Sequence, residues 1–471
     1  MGDVTVAGLP RYDPDAVADA GERAVVVGAS VAGLLAARVL ADGYDEVTVL
    51  DSDDLPDEPV TRGGVPQGHH PHALLAGGRA TVEDLLPGTS EDVIAGGGVI
   101  TDFAGEVRFY AEGAYLAPGP TRRETVSASR PLFEHVVREH ATAHDRVTVR
   151  PNTQCIEYRL DPTGTAVGGL LVRADGDARE LDADLVVDAT GRASRTPQWL
   201  DANGFAAPPV DEVTIDVAYS TTTVERPHDD RRTFLLPASA PRSRGGMAAP
   251  VDGDRWVVNV HGVHGETPPT DRAGFAAFAD TLPTPDVKRI LDEHAWADDV
   301  HAYRFPANRR NRYEALDRFP ETLVVVGDAV ASFNPVYAQG MSVAALEALA
   351  LHHVLAAGTH ALGPRLFDRV SPVVDIAWSL AVGSDFGYPE TDGPKPRGTG
   401  LVDWYLGRLL RRAHTDGRLT DAFVRVLSMT DAPSTLFAPG IARRVLAPSI
   451  RGPPRTADRV GDHREDRRSS S

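Results

Sequence analysis

Two aspartates, each closing a short apolar strand beside a glycine turn, give this chain its clearest chemical signal. Asp51 ends the run Val47-Thr48-Val49-Leu50, roughly 20 residues after the turn Gly28-Ala29-Ser30-Val31-Ala32-Gly33. A carboxylate at that spacing can accept hydrogen bonds from ribose hydroxyls, while the turn and the helix after it offer N–H groups and a positive dipole end to a pyrophosphate. Gly28 permits the tight turn and Gly33 lets the helix pack closely. Ser30 replaces the middle glycine of G-x-G-x-x-G and can itself donate to a phosphate. About 300 residues later, Asp328 follows Gly327 at the end of Leu323–Val326. It is placed to accept from a ribityl hydroxyl. Beyond the turn Asn334-Pro335, Gly340-Met341-Ser342 leads into a helix over Val343–Leu351, whose start can aim N–H groups at the electron-accepting edge of a flavin. The first site alone suits any dinucleotide. The second argues for FAD.

The elements that must hold these groups follow from hydrophobic pattern. Val25–Val27 reads as a central parallel strand buried on both faces, and Leu34–Leu40 as the helix that follows it. A third strand, Leu185-Val186-Val187-Asp188, runs into Ala189-Thr190-Gly191-Arg192-Ala193-Ser194. Thr214–Thr223, Arg232–Leu236, Gly245–Val251 and Arg255–Val263 read as antiparallel strands between Pro, Gly and Asp turns. Within the last, Trp256-Val257-Val258-Asn259-Val260-His261 alternates as a half-solvated sheet would.

With its N-terminal Gly-rich turn, mid-chain Asp/Gly segment and late Gly-Asp pair, the chain resembles the FAD-dependent monooxygenases of the p-hydroxybenzoate hydroxylase fold. Arg62-Gly63-Gly64-Val65-Pro66-Gln67-Gly68-His69-His70-Pro71-His72-Ala73-Leu74-Leu75, with Gly327-Asp328-Ala329 through Gln339-Gly340-Met341, is similar to the bacterial branch of polyene epoxidases of polyether biosynthesis, and more distantly to squalene epoxidase. The likeness covers roughly residues 22–350. It implies that Gly28, Ser30, Val31, Gly33 and Asp51 hold the ADP half of FAD. Arg62, Arg130 (in Ser129-Arg130-Pro131-Leu132-Phe133-Glu134) and Gly191 would contact the cofactor, Gly327 and Asp328 its ribityl chain, and Gly340 and Met341 the ring region. Relatives often read Gly-Ala-Asp-Gly where this chain has Asp188-Ala189-Thr190-Gly191, so the electron source is left as NAD(P)H or a flavin reduced separately by a reductase partner.

The implied fold is α/β (α+β overall). A Rossmann-like FAD/NAD(P)-binding domain would occupy residues 22–204 (with a small excursion near 85–120) and 301–361. An inserted antiparallel-sheet substrate domain would span 205–300, a helical C-terminal region 362–450, and a disordered tail 451–471. The activity implied is monooxygenation through a flavin C4a-(hydro)peroxide, epoxidising or hydroxylating an apolar unsaturated or aromatic metabolite with O₂. The alternative on the same scaffold is a reductase of the geranylgeranyl-reductase type. A halogenase is disfavoured by the missing W-x-W-x-I-P segment and by lysines only at 288 and 395. Catalytic candidates are weak. Gln67 and His72 could touch ring or substrate or merely build a loop, and Tyr337 and Gln339 could orient substrate or pack and cap the helix. His69, His70 and His72 lie too close along an extended chain for an easy tetrahedral metal site, and no carboxylate partner is evident, so no metal is expected.

Composition agrees. Of 471 residues 42% are hydrophobic, ample for a packed enzyme, and the net charge of −19 argues against nucleic acid or an anionic membrane as partner. No stretch approaches the ~20 apolar residues of a membrane span, and the first 20 residues lack a signal-peptide core, so a cytoplasmic location is expected. Cys155, the one cysteine, excludes an internal disulfide.

Overall fold

The computed structural model describes residues 5–448; the expected tail 451–471 lies outside them. Its centre is a five-stranded parallel sheet in the order Leu323–Val325, Leu185–Asp188, Gly21–Val27, Tyr44–Leu50, Val147–Arg150. β-Branched runs dominate these strands because helices and the three-stranded antiparallel sheet of Thr153–Leu160, Val167–Ala174 and Asp177–Asp182 cover them, and Val25, Val26, Val186, Val187 and Val324 are all buried. Register sets the site: Val27 pairs with both Asp188 and Leu50, and Asp188 pairs with Val325. The turns after three strands, beginning at Gly28, Ala189 and Val326, therefore emerge side by side at the carboxyl edge, where such sheets bind ligands. The helices Val31–Leu40, Arg130–Thr142 and Gly340–Ala356 pack here, the first against both others.

A second sheet has eight strands, in the order Ala331–Ser332, His301–Asn311, Val210–Glu225, Arg255–Gly262, Arg244–Val251, Thr233–Leu236, Val107–Ala111, Ala114–Tyr115. It reaches beyond the expected span 205–300. The 16-residue strand Val210–Glu225 is longer than a hairpin partner can satisfy, and His301–Asn311 pairs along its other edge. The excursion near 85–120 supplies two more strands through the parallel pairing of Val107–Phe109 with Thr233–Leu235. The reading of Trp256–His261 as half-solvated is corrected, since every residue from Trp256 to Gly262 is buried. The strand is interior. Trp256, Val258 and Val260 pack under Phe275, Phe278, Ile290 and Leu291 of the helices Arg272–Asp280 and Asp286–Glu293. The intervening polar residues turn inward and bond one another instead of water.

The C-terminal region is helical: Leu362–Asp385, Thr399–Ala413, Gly417–Leu427 and Pro439–Leu446. The first of these runs 24 residues despite Pro372 and joins the main core through Leu366, Phe367, Val370 and Val374. Cys155 sits half-buried on Thr153–Leu160, its thiol pushed up to about 12 by burial, which leaves it unreactive.

Candidate functional site

The early and late turns touch. Gly33 packs so tightly beneath Gly28 that a Cβ there would fall 1.9 Å from the Gly28 carbonyl oxygen. Gly28, at φ +112°, in turn leaves no room for a Cβ beside the Ala189 carbonyl oxygen, 2.5 Å away. A Cβ on Gly327, at φ +68°, would meet the Ala32 methyl at 2.8 Å. Segments about 300 residues apart thus share one edge. Asp188 fixes the middle turn by accepting from Thr190 N (2.9 Å) and from the hydroxyls of Thr190, Ser194 and Thr196 at 2.5–2.6 Å. That holds Gly191, at φ +74°, next to the Cβ of Asp328. Asp188 is a staple for this turn, all its acceptor capacity spent on protein.

At the end under Gly28–Gly33 a buried ionic network surrounds the helix start. Asp51 accepts from Ala29 N (2.8 Å) and Asp53 N (2.9 Å), so it braces the turn as well as facing the site. Arg62 donates to Glu134 (2.6 Å), Asp51 (3.1 Å) and Asp53 (3.1 Å). Arg130 donates to Ser30 Oγ (2.5 Å) and Glu134 (3.3 Å), and Ser30 donates to Glu134 (3.1 Å). Burial opposes charge on Arg62, yet Glu134, Asp51 and Asp53 together hold its guanidinium pKa above the usual value. Because the Ser30 side chain is engaged sideways it makes no cap to the helix it precedes, so the first N–H groups after it, Val31 included, stay available. The Arg130 Nε is buried with no partner among the described residues.

The other end is built by Asp328 and the Gly340–Ala356 helix. Asp328 accepts no hydrogen bond from any described residue; burial raises its pKa against the pull of Arg130 and Arg192. Behind it Glu347, wholly buried, accepts from Gly327 N (2.5 Å), and burial pushes its carboxyl up to about 8. At the helix start the amide of Gln339 is buried with neither polar atom bonded by any described residue, and Gly340 faces open space. The Met341 side chain lies in the main core, leaving only its backbone at the helix start. The Asn334-Pro335 turn is pinned by a triangle. Asn334 N donates to Asn308 Oδ1 (2.7 Å), while both asparagine amides donate to Asp385, at 2.7 Å and 3.1 Å. Tyr337 stands near that carboxylate, and burial holds its phenol well above its usual range.

The His69–His72 segment diverges. His72 Nδ1 bonds the His70 carbonyl (2.8 Å), and burial, with Arg130 nearby, drops its pKa to about 3. His70 bonds Thr221 Oγ1 (2.8 Å), which also accepts from Asn259; Asn259 Oδ1 meets His261 Nδ1 at 3.1 Å. This chain is how the second sheet buries polar side chains. Burial likewise lowers the pKa of His70 and of His261, to about 3 and about 4. Gln67 is half-buried in a short 3₁₀ turn, with no side-chain partner among the described residues. The sequence reading passed over Asp53, Glu134, Glu347 and Asp385. Of these, Glu347 had a legible signal, being the one carboxylate in a largely apolar helix.

Among the described residues, three groups with no hydrogen-bond partner of their own therefore mark the site: the Arg130 Nε at one end, and the Asp328 carboxylate and the Gln339 amide at the other. A guanidinium N–H suits an anion, a carboxylate suits hydroxyls and an amide suits a polar ring edge. The residues fit FAD.

The fold has solved counterparts. The flavin-dependent brominase Bmp2 is 16% identical with a TM-score of 0.59, covering 88% of this chain and 95% of that one. CmlS, a flavin-dependent halogenase, is 16% identical at 0.60, covering 86% and 77%. A flavoprotein/dehydrogenase from Cytophaga hutchinsonii is 14% identical at 0.63, covering 90% and 96%. At such identities the likeness concerns the fold alone, and that fold is the flavin-dependent oxidoreductase one. A family model described as FAD binding domain matches residues 90–370. Protein Rv3254 of Mycobacterium tuberculosis (strain ATCC 25618 / H37Rv) is 33% identical over 457 residues, 91% of this chain and 94% of its own. The chain belongs to the FAD binding domain family; it is a flavin-dependent oxidoreductase and its cofactor is FAD. No described helix is long and apolar enough to cross a membrane.

Proposed function

We propose that this protein is a monooxygenase that places one atom of O₂ on an apolar unsaturated or aromatic small molecule, by epoxidation or hydroxylation, in the manner of the polyene epoxidase branch it resembles. What supports this reading is the neutrality of the groups around the ring end. Burial keeps His70, His72 and His261 unprotonated, and Glu347 and Tyr337 protonated, near neutral pH. Neutral imidazoles and a neutral phenol are compatible with apolar surface and with exclusion of water; the one carboxylate near Tyr337, Asp385, is tied up by the amides of Asn308 and Asn334. When bound, FAD supplies the redox chemistry and the activation of O₂. The protein's part is to hold and shield. Gly28, Ser30, Val31, Gly33, Asp51, Arg62 and Arg130 grip the ADP half; Gly191, Gly327 and Asp328 grip the ribityl chain; Gln339, Gly340 and Met341 N–H face the ring. The inward face of the eight-stranded sheet, largely from residues 205–300, shapes the substrate pocket, with Gln67, His72 and Tyr337 at its margin. Electrons come from NAD(P)H or from a reductase partner, in the cytoplasm.

Two measurements test this. Mixing anaerobically reduced holoenzyme with O₂ should pass through a spectrally distinct species before oxidised flavin returns, and ¹⁸O from labelled O₂ should appear in the product of a candidate polyene or phenol. Direct reoxidation, together with anaerobic saturation of an alkene, would instead establish the reductase. Separately, Asp328→Ala should weaken FAD binding by ~1.5–3 kcal/mol, about 10- to 150-fold, the worth of a charged hydrogen bond. Fluorescence titration of apoprotein reads this, and an unchanged affinity would misplace the ribityl site.

A further inference from the structure

His69 does not share the fate of its neighbours. Its ring stacks on that of His301, 232 positions later, with centroids 3.8 Å apart and planes 12° from parallel. Asp298, three residues before His301, brings a carboxylate oxygen to 3.6 Å from His301 Nε2. The ligating atoms of His69, Asp298 and His301 all lie within 4.8 Å of one another. The stack is not explained by local hydrogen bonding, since His301 Nε2 is buried without a hydrogen-bond partner among the described residues. Among the described residues no arginine or lysine pairs with Asp298; its ion-pair contact is His301, and its carboxylate also accepts from Asp299 N at 2.8 Å. The two imidazoles line a cavity of about 400 Å³ together with Thr61, Arg62, Gly63, His70 and Ala302, so the cluster is reachable from solvent.

We propose that His69, His301 and Asp298 form a binding site for one divalent transition-metal ion, clamping the 61–70 loop to the start of the His301–Asn311 strand. The donor set selects the class of ion. Two imidazole nitrogens and one carboxylate oxygen suit zinc and its first-row neighbours, whereas calcium and magnesium take all-oxygen shells. Three protein ligands leave the fourth position open to the cavity, for water or a small anion. Bringing both ring nitrogens to about 2.0–2.1 Å of one ion turns the rings out of their face-to-face stack. A carboxylate is thus supplied from outside the His69–His72 run, which by itself offers none. The site joins two parts of the chain that the cofactor alone need not join. It does not depend on the identity of the flavin reaction.

The test uses FAD-loaded protein freed of metal with a chelator, then titrated with Zn²⁺ by calorimetry at neutral pH. One ion should bind per chain. His69→Ala and His301→Ala should each weaken binding at least about 10-fold, in line with metal sites that lose ligand support. His360→Ala, a histidine 94% exposed elsewhere on the surface, should bind as the parent does. Zn²⁺ should raise the thermal midpoint of the parent but not of His301→Ala. If His69→Ala fails to retain FAD, His69→Gln provides the same comparison. Saturation weaker than about 0.1 mM, or affinity that survives loss of both histidines, would overturn the site.

Discussion

Arg62→Ala is expected to destabilise the protein by about 3–5 kcal/mol and to release FAD at concentrations that saturate the parent. The guanidinium is 8% exposed and is the common partner of Glu134, Asp51 and Asp53, whose own exposures are 6%, 10% and 21%. Removing it leaves three carboxylates facing one another around a helix start with only Arg130 to compensate. They cannot regain water without opening the turn, because Asp51 also braces Ala29 N. Urea denaturation reads the loss. Arg62→Lys should recover only part of it, since an ammonium lacks the fork that reaches Glu134 through Nε and the two aspartates through Nη1. An Arg62→Ala protein within about 0.5 kcal/mol of the parent would mean the network is solvated and carries no structural weight.

Glu347→Gln should stabilise the protein by an amount that grows with pH. The folded state holds a proton on Glu347 up to about pH 8, whereas the unfolded chain releases it near the ordinary glutamate value of 4.5. Between those values the unfolded state binds fewer protons, so wild-type stability falls as pH rises, by up to ~1.4 kcal/mol per unit. Glutamine has nearly the same shape, can still accept from Gly327 N, and does not titrate. The variant should therefore gain steadily on the parent from about pH 5 to pH 8, and the gap should stop widening above that. Urea midpoints across this range check it. Parallel pH profiles would show that Glu347 is ionised in the fold, with its charge offset in some other way. The Asp385 carboxyl, raised to about 6 by burial, adds a smaller decline of the same sign at lower pH, which both proteins share.

The cofactor edge was legible because its signals are local. A glycine turn, a helix start and a terminal acid sit within one βαβ unit, and the late Gly-Asp pair carries its own strand and helix, so both could be placed without tertiary knowledge. The Arg62 network was not. Arg62 meets Glu134 across 72 residues, and nothing at either position distinguishes that pair from a surface arginine and a surface glutamate. The same holds for His69 and Asp298, which lie 229 positions apart, and no pattern around Asp298 singles it out. The strand around Trp256 was misjudged for a related reason. Alternation shows that two faces differ, but whether the polar face meets water depends on neighbours and covering helices that only the assembled sheet defines. Within the span 362–450, read as helical, the first helix runs 24 residues and continues past Pro372, although a proline usually ends a helix.

The order of strands in the parallel sheet has a consequence for biogenesis. The strand Gly21–Val27 emerges from the ribosome first, yet its neighbour on one side is made some 160 residues later, and the strand beyond that only at Leu323. Through most of translation the nascent chain carries an apolar, hydrogen-bond-hungry border with nothing to zip onto it, the kind of surface chaperones shield. Flavin capture must then wait until the strand Leu323–Val325 and its Gly-Asp turn have been made.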